Sequence, residues 1–437
     1  MIELPTLFCR TRDGKINQWR VFTRDDVVVT EYGRMGGKQN QHQDRVRSMN
    51  VGKANERLGA VQAEAEAQSA WEKKKREGYF PTVQEAQDII VLLPMLAKPL
   101  EHEVKRKAGR VKVKLTVGYP ADLQPKLNGL RGLSIYTAPT ALMTWVSDPF
   151  KPSRLIIRSR EGEDWTNLRH IEEDLKHIIS PGEMADGEVY LHGVPLQILN
   201  SLIKREQEQT TMLQYHIYDL PAFDGRYDHS WESRGRHLRE RYFRYVLTKA
   251  AGLAMTFTDV ELAYGGHAPG SQAELLIQSL PLQLVPTFRV DDEAEARERQ
   301  KKFILQGFEG AIIRQLDRPY EFNDRGDGII KLKDFQDANF EIIDVLGREL
   351  LKGEVSTWIV DKFVFKNNLN DRTFEAVPIG AMEQRAAWWQ ERENLLGKFG
   401  TVRFLERSVD LLPQGNPVMI ALRLDEDKGE EEQNPWA

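Results

Sequence analysis

Residues 125–132 read Pro-Lys-Leu-Asn-Gly-Leu-Arg-Gly, and this stretch carries more information about the chain than any other. Lys126 and Arg131 lie five residues apart, on either side of Gly129. A glycine lets the backbone approach a ligand closely because it has no Cβ. The layout suits a lysine that attacks a nucleotide phosphate, with an arginine that stabilises charge beside it. This segment alone is weak evidence for such a site. It becomes informative when other segments that could bind a nucleotide follow it, and several do.

Three segments downstream supply further candidate side chains. Arg160 ends a β-like run in Leu-Ile-Ile-Arg-Ser-Arg-Glu-Gly, where it could reach a ribose or a phosphate. Glu188 lies in Ala-Asp-Gly-Glu-Val-Tyr, where an acid could orient ribose hydroxyls or hold a metal. Tyr218 lies in Tyr-His-Ile-Tyr-Asp-Leu, and an aromatic ring stacks on any base. These segments predict a pocket for a nucleotide.

Two further segments, at residues 308–314 and 329–333, supply the remaining candidate side chains. Glu309 and Arg314 belong to Phe-Glu-Gly-Ala-Ile-Ile-Arg, and a carboxylate at a strand entrance suits magnesium, which prefers oxygen ligands. Lys331 and Lys333 belong to Ile-Ile-Lys-Leu-Lys. Alternate residues of a strand share a face, so both lysines are expected on one side, with Leu332 turned into the core. Two ammonium groups there would stabilise the charge of phosphoryl transfer.

In this order the segments resemble the motifs of the covalent lysine nucleotidyltransferases, which include DNA ligases, RNA ligases and mRNA-capping enzymes. The resemblance covers about residues 95–424 and is to compact ATP-dependent DNA ligases of phage and viral type. It implies a lysyl-AMP intermediate on Lys126, the cofactors ATP and Mg²⁺ (or Mn²⁺), and nicked duplex DNA as the partner. It implies Lys126, Arg131, Lys331 and Lys333 as catalytic residues and Glu188 and Glu309 as metal ligands. The residues that it implies for nucleotide binding are Gln124, Lys126, Arg131, Arg160, Glu188, Tyr218, Glu309, Arg314, Lys331, Lys333 and Arg423. Arg423 belongs to a segment that resembles an R-x-D-K motif, in which Lys428 would be the lysine.

Two positions bear on the choice within the superfamily. Gln124 lies two residues before the lysine, where an amide oxygen could accept from the adenine amino group and favour ATP over GTP. Asn128 stands where most DNA ligases have aspartate, which leaves an RNA ligase as an alternative. A capping guanylyltransferase, or a DNA-end-binding protein with a degenerate catalytic domain, are further alternatives. The NAD-dependent ligases are disfavoured because they carry a four-cysteine zinc site, and this chain has only Cys9.

The first 82 residues predict a separate module with short strands and a helix from about residue 53 to 77. It resembles a WGR domain, a DNA-binding fold, through Trp19, the Tyr-Gly-Arg triplet at residues 32–34 and the Lys-Arg-Glu-Gly-Tyr segment at residues 75–79. Small or apolar residues at helical spacing (Ala54, Leu58, Val61 and Ala65) are expected to form the inner face of the helix. The resemblance implies DNA contacts by Tyr32, Arg34, Lys38, Arg45 and Arg47.

The whole chain predicts an α+β protein of several domains. We expect a WGR-like sheet-plus-helix module (1–82), a nucleotidyltransferase or adenylation domain, ATP-grasp-like (95–335), an OB-fold β-barrel (339–424) and an acidic tail (425–437). The net charge of -5 over 437 residues means that any DNA surface must come from local clusters, such as the seven basic residues between 98 and 118. The single cysteine fits a reducing cytoplasm, and the lack of a long apolar run predicts no membrane segment. We also expect a monomer.

Overall fold

The computed structural model describes residues 1–11, 14–50, 52–88, 92–106, 109–137, 153–253, 255–333, 336–352, 355–404, 406–407, 410–414 and 417–423. Within them, helices and several sheets are mixed along the chain, so the predicted α+β class is confirmed. The predicted acidic tail, together with Lys428, lies outside the described residues. None of the helices in the described ranges is both long and apolar enough to cross a membrane.

The elements are numbered in chain order. The strands are β1 (Leu7–Arg10), β2 (Ile16–Arg24), β3 (Val27–Arg34), β4 (Gln39–Arg45), β5 (Lys98–Pro99), β6 (Glu101–Arg106), β7 (Gly109–Lys114), β8 (Ala121–Lys126), β9 (Leu130–Tyr136), β10 (Leu155–Ser159), β11 (Asp164–Trp165), β12 (Met184–Tyr190), β13 (Gln214–Ala222), β14 (Leu282–Leu284), β15 (Phe288–Val290), β16 (Gly310–Arg314), β17 (Ile329–Leu332), β18 (Gln336–Lys352), β19 (Val355–Lys366), β20 (Thr373–Pro378), β21 (Phe399–Phe404), β22 (Glu406–Arg407), β23 (Pro413–Gln414) and β24 (Val418–Arg423). The helices are α1 (Gly59–Arg76), α2 (Val83–Asp88), α3 (Arg169–Leu175), α4 (Leu196–Lys204), α5 (Trp231–Ala250), α6 (Phe257–Tyr264), α7 (Gln272–Ser279), α8 (Glu293–Leu305), α9 (Met382–Gln390) and α10 (Arg392–Leu395), with a 3-10 helix at Glu208–Met212.

The chain divides into two compact units. We call residues 76–78 and 84–333 the central unit, and residues 1–75, 79–83 and 334–437 the terminal unit. The sequence predicted residues 1–82 and 339–424 as two separate domains, whereas the structure groups them in one compact unit.

Two sheets form the central unit. One has the strand order β11-β10-β9-β12-β13-β14, and the other has the order β15-β8-β16-β17-β5. Helices α3 to α7 pack on the first sheet around buried aliphatic and aromatic side chains, including Leu199, Tyr215 and Tyr242. Helix α8 packs on the second sheet through Ala296 and Phe303. Each sheet therefore has its own hydrophobic core.

The N-terminal part of the terminal unit is an antiparallel sheet of β1 to β4 with α1 packed on one face. The predicted strands are present, and the buried cluster holds Leu7, Trp19, Val21 and Ala67. The predicted inner face of the helix is wrong. Leu58 lies just before α1 and is 64% exposed, and Val61 is 54% exposed, whereas Gln62, Ala63 and Ala67 are buried. The small side chain of Ala67 packs in the same cluster as Trp19, so the helix lies close to the sheet there.

The C-terminal part of the terminal unit contains strands β18 to β24 and the short helices α9 and α10. Strand pairing runs from β18 through β19, β20 and β24 to β21, and β21 pairs in turn with the first third of β18. This arrangement is consistent with the predicted OB-fold. Its core is rich in phenylalanine, with Phe340, Phe363, Phe365 and Phe404 almost fully buried.

The two parts of the terminal unit are joined through one sheet. Strand β4 pairs with the far end of β18 at Asp44 and Leu350. The Arg45 side chain forms an ion pair with Glu349 at 2.9 Å, and the N-terminal sheet thereby continues into that of the C-terminal part.

Candidate active site

Lys126 lies where the chain leaves one sheet of the central unit and enters the other. It ends β8, and β9 of the other sheet begins four residues later. The crossing passes Gly129, where an added Cβ would lie 2.5 Å from the carbonyl oxygen of Val189. Only a glycine fits this close approach without movement of the backbone. The sequence predicted a close approach to a ligand at this glycine, whereas this approach is to strand β12.

Strand register brings two more charged side chains to Lys126. Strand β16 runs antiparallel to β8 with Gly310 opposite Lys126, and the Glu309 amide donates to the Lys126 carbonyl at 3.0 Å. Strand β17 pairs with β16, so Lys333 emerges at the same end of the sheet. As a result, one Glu309 carboxylate oxygen contacts the Lys126 ammonium and the other contacts the Lys333 ammonium.

The charge balance around Glu309 keeps its carboxylate ionised. Burial alone would raise the pKa of this group, but the ammonium groups of Lys126 and Lys333 outweigh burial and hold the pKa below its ordinary value. The side chain of Lys126 is 23% exposed, so the nucleophile candidate is accessible but partly enclosed.

Lys331 behaves differently from Lys333. Burial, together with the nearby charges of Lys333, Arg325 and Lys126, lowers the pKa of Lys331. Its side chain lines the cleft and makes no hydrogen bond or ion pair with any residue that the structure describes. Leu332 between the two lysines is 1% exposed, as predicted.

The Arg131 guanidinium forms an ion pair with a buried aspartate. It donates to both carboxylate oxygens of Asp186, at 3.1 and 2.6 Å, and Asp186 is fully buried. Burial opposes the charge of Arg131, but Asp186 more than compensates, so the pKa of Arg131 lies well above its ordinary value. The sequence assigned a role to Glu188 of the Asp-Gly-Glu segment and missed this role of its aspartate.

Glu188 lies opposite Arg131 across β9 and β12. One of its carboxylate oxygens accepts from the Gly129 amide at 2.6 Å. Burial raises the pKa of Glu188, against the opposing effect of Lys126. The lysine-bearing turn and this carboxylate are therefore directly connected.

The base-binding candidates Tyr218 and Gln124 form one end of the cleft. The Gln124 amide is oriented by its neighbours, because its oxygen accepts from Arg314 Nε at 3.0 Å and its nitrogen donates to Thr287 Oγ1 at 3.0 Å. Arg314 lies 5.2 Å from the Tyr218 ring centre and donates to Asp219 at 3.0 Å. Arg314 is 2% exposed and acts on the cleft mainly through Gln124 and Tyr218.

A cleft of about 820 Å³ joins these groups, with Lys126, Arg131, Glu188, Tyr218 and Lys331 among its lining residues. Arg160 also lines it, is exposed, and makes no hydrogen bond or ion pair in the described part of the chain. The sequence did not single out Lys204, Arg325 or Trp165, which line the cleft as well. No local motif marks them, since the fold alone brings them to the cleft.

The remaining predicted residues lie in the terminal unit. Arg423 Nε donates to Thr401 Oγ1 at 2.9 Å. Tyr32 is 46% exposed on β3, and Arg34 and Lys38 are exposed nearby. Arg45 and Arg47 instead contact β18 and β19: Arg45 pairs with Glu349, and Arg47 donates to the Gly347 carbonyl at 3.2 Å and lies 5.3 Å from the Trp358 ring centre.

The donor set for a metal consists of carboxylates only. Among the residues that the structure describes, no group of three or more His, Cys, Asp or Glu side chains converges. Glu188 and Glu309 are close enough to influence each other's charge and both lie near Lys126. One or two carboxylates, completed by substrate phosphates and water, is the usual donor set for Mg²⁺, so these residues fit that ion.

Comparison with known proteins agrees with this geometry. No family model matches the chain. The DNA ligase of African swine fever virus (isolate Pig/Kenya/KEN-50/1950) is 26% identical over 196 residues, which cover 44% of this chain and 39% of that protein. The DNA ligase of Archaeoglobus fulgidus is 28% identical over 219 residues, or 47% of this chain and 33% of that protein. The solved structure Pmar-Lig_Pre shares the fold over 69% of this chain and 63% of its own, with a TM-score of 0.50 and 19% identity.

The similarity to these two DNA ligases covers less than half of this chain. The chain spans about two fifths of the length of the viral relative.

Proposed function

We propose that this protein is an ATP-dependent DNA ligase that seals nicks between a 5′-phosphate and a 3′-hydroxyl in duplex DNA. The observation that carries the proposal is the contact of Glu309 with both Lys126 and Lys333 beside the cleft. An accessible lysine beside a second lysine and two carboxylates is the arrangement that nucleotide transfer to an amine requires.

In the first step the neutral Lys126 amine attacks the α-phosphorus of ATP. The Nζ–P bond forms, the bond from phosphorus to the bridging oxygen of pyrophosphate breaks, and the amine loses its remaining extra proton to solvent. Pyrophosphate leaves, and AMP stays on Lys126. Lys331 lines the same cleft and has no ion-pair partner among the described residues, so its ammonium group is suited to neutralise charge on the α-phosphate.

The other cleft residues would bind the nucleotide and the nick. Tyr218 would stack on adenine, and Gln124 would accept from its amino group. Glu188 would orient the ribose. Arg131 and Arg160 would bind the 5′-phosphate at the nick. An oxygen of that phosphate would attack the phosphorus of the AMP on Lys126, so that the Nζ–P bond breaks and AMP moves to the 5′-phosphate. The 3′-hydroxyl would then attack the 5′-phosphate, and AMP would leave. Arg423 would contact the triphosphate tail.

Glu188 and Glu309 would hold Mg²⁺ or Mn²⁺, which supplies charge neutralisation at the phosphates. In the terminal unit, the WGR-like module would bind DNA through Tyr32, Arg34 and Lys38. Arg45 and Arg47 would contribute less, because their guanidinium groups are engaged by β18 and β19. We infer a monomeric enzyme that acts in the cytoplasm.

The test is incubation with α-labelled ATP and Mg²⁺, followed by denaturing electrophoresis. A labelled band is expected, stable to denaturation and absent in Lys126→Ala. The matched control Lys302→Ala removes an exposed lysine of α8 and should keep the band. Absence of any band from the wild-type protein would contradict the proposal. A band with GTP instead would favour a capping enzyme, and faster sealing of nicked RNA than of nicked DNA would favour an RNA ligase.

A further inference from the structure

Tyr320 is a buried tyrosine outside all of the segments that the sequence singled out. It lies between β16 and β17 and is 3% exposed. Its hydroxyl group uses its full hydrogen-bonding capacity: it donates to Asp186 at 2.6 Å and accepts from the Met95 amide at 3.0 Å and from Arg131 at 3.3 Å. One hydroxyl group therefore connects three separate parts of the chain.

Two of these partners lead directly to the cleft. Asp186 accepts hydrogen bonds from Arg131 through both of its carboxylate oxygens. Its Oδ2 atom accepts hydrogen bonds from both the Tyr320 hydroxyl and Arg131 Nη2. The guanidinium is thus held on a triangle of short contacts with Asp186 and Tyr320. On its other side Arg131 lines the cleft, with 18% of its side chain exposed.

Tyr320 holds the guanidinium plane as well as the carboxylate. The Asp186 carboxylate binds one edge of the Arg131 guanidinium and leaves rotation about that edge possible. The additional hydrogen bond to the Tyr320 hydroxyl restricts this rotation. Burial and the neighbouring Asp186 charge raise the pKa of the Tyr320 hydroxyl well above its ordinary value, so it stays a donor at any physiological pH.

We propose that Tyr320 is a positioning residue that fixes the Arg131 guanidinium at the angle in which it meets the substrate phosphate. This inference rests on the proposed ligase function. It assigns Tyr320 no contact with the substrate, and its effect on the reaction passes entirely through Asp186 and Arg131.

The chain offers a matched control for the loss of a buried hydroxyl group. Tyr245 is 1% exposed and donates to Asp174 at 2.6 Å, the same distance as between Tyr320 and Asp186. Asp174 pairs with Lys249, and none of these three residues lines the cleft. Tyr245→Phe therefore removes an equivalent hydrogen bond from the same unit without touching Arg131.

The experiment measures single-turnover transfer of AMP from pre-adenylylated protein to a nicked duplex, at saturating and at limiting DNA. Tyr320→Phe should lower the rate at saturating DNA about 10-fold or more, with a smaller change in half-saturating DNA concentration. Tyr245→Phe should leave both within about twofold at a similar melting temperature.

A double-mutant cycle with Arg131→Gln separates positioning from general destabilisation. In the Arg131→Gln background, Tyr320→Phe should cause no further loss of rate. Equal losses in both backgrounds, or an equal loss in Tyr245→Phe, would overturn the proposal. If Tyr320→Phe does not fold, Asp186→Asn weakens the same contact and should show the same dependence on Arg131. A wild-type protein that forms no adduct with ATP would instead refute the ligase function itself.

Discussion

The Glu309 carboxylate contacts the Lys126 ammonium at the point where β16 begins beside the end of β8. This contact follows from strand register, because Gly310 is paired with Lys126 and the acid lies one residue before it. A second contact from Glu309 to Lys333 means that a single carboxylate balances two cations of the cleft. Several predictions about individual side chains depend on this arrangement and its surroundings.

Replacement of Glu309 by glutamine should remove the carboxylate charge that contacts the ammonium groups of both Lys126 and Lys333. We expect adduct formation with labelled ATP to slow by about 100-fold, the scale seen when one preorganised electrostatic group is removed. Glu298→Gln on the exposed face of α8 is the control and should have the wild-type rate. A Glu309→Gln protein that labels at the wild-type rate would show that this carboxylate has no part in the chemistry.

Gln124 should control the choice between adenine and guanine. Its amide nitrogen donates to Thr287 and to the Tyr218 carbonyl, and its oxygen accepts from Arg314, so only an oxygen lone pair remains to meet the base. Adenine offers an amino group there and guanine a carbonyl oxygen. In Gln124→Met the preference for ATP over GTP should fall about 10-fold, the value of one hydrogen bond of about 1.4 kcal/mol. Competition labelling with both nucleotides measures the ratio, and Gln300→Met, a buried glutamine of α8, should not alter it.

His216 should make the central unit sensitive to acid. Burial, with a smaller effect from His192, lowers the pKa of His216 to about 4, and its Nε2 has no hydrogen-bond partner in the described residues. The unfolded chain takes up a proton near pH 6.5 and the folded chain only near pH 4. The contribution of neutral His216 to stability is therefore complete above pH 6.5 and falls by roughly 3 kcal/mol as the pH drops to 4.

Urea unfolding of wild-type and His216→Phe proteins between pH 7 and pH 4 tests this prediction. The variant should lose less stability over this range, whereas His267→Gln, which removes an exposed histidine of the same unit, should follow the wild type. Identical pH profiles for the wild type and His216→Phe would contradict the assignment.

Arg47 should hold the N-terminal sheet against the C-terminal part of the terminal unit. It contacts the Gly347 carbonyl and the face of Trp358, and Trp358 stacks on Trp389 at 5.3 Å. Arg47→Ala should weaken the contact between the N-terminal sheet and the C-terminal part of the terminal unit by about 1 kcal/mol. Hydrogen exchange in β4 and in the second half of β18 should become faster. Arg24→Ala removes a comparable arginine that lies over the Phe22 ring on β2, and exchange in β18 should not change.

The residues of the candidate site were predicted from the sequence more successfully than the contacts between them. Lys126, Glu309 and Lys333 lie in short segments with strong local patterns, and the strand pairing brings them together as expected. Arg314 was predicted at the nucleotide, and it lines the cleft, but its contacts with Gln124 and with Asp219 were not predicted. Buried charge networks depend on which segments meet in space, and neither periodicity nor motif spacing contains that information.

The same reason explains what the sequence missed at Tyr320 and Asp186. A tyrosine in a polar loop gives no local signal, because its importance comes from partners 134 and 225 residues away in the chain. The N-terminal module shows a related difference. Its strands were predicted from alternation and turn residues, whereas the pairing of β4 with β18 joins segments about 300 residues apart.

The pairing of β4 with β18 also bears on how a shortened form of the protein would behave. Without the first 83 residues, the second half of β18 would keep β19 on one side and lose the pairing of Leu350 with Asp44 on the other, which leaves that edge of the sheet uncovered. Such an open border invites strands of neighbouring molecules to add to it. We therefore expect the truncated protein to self-associate and to lose solubility as its concentration rises.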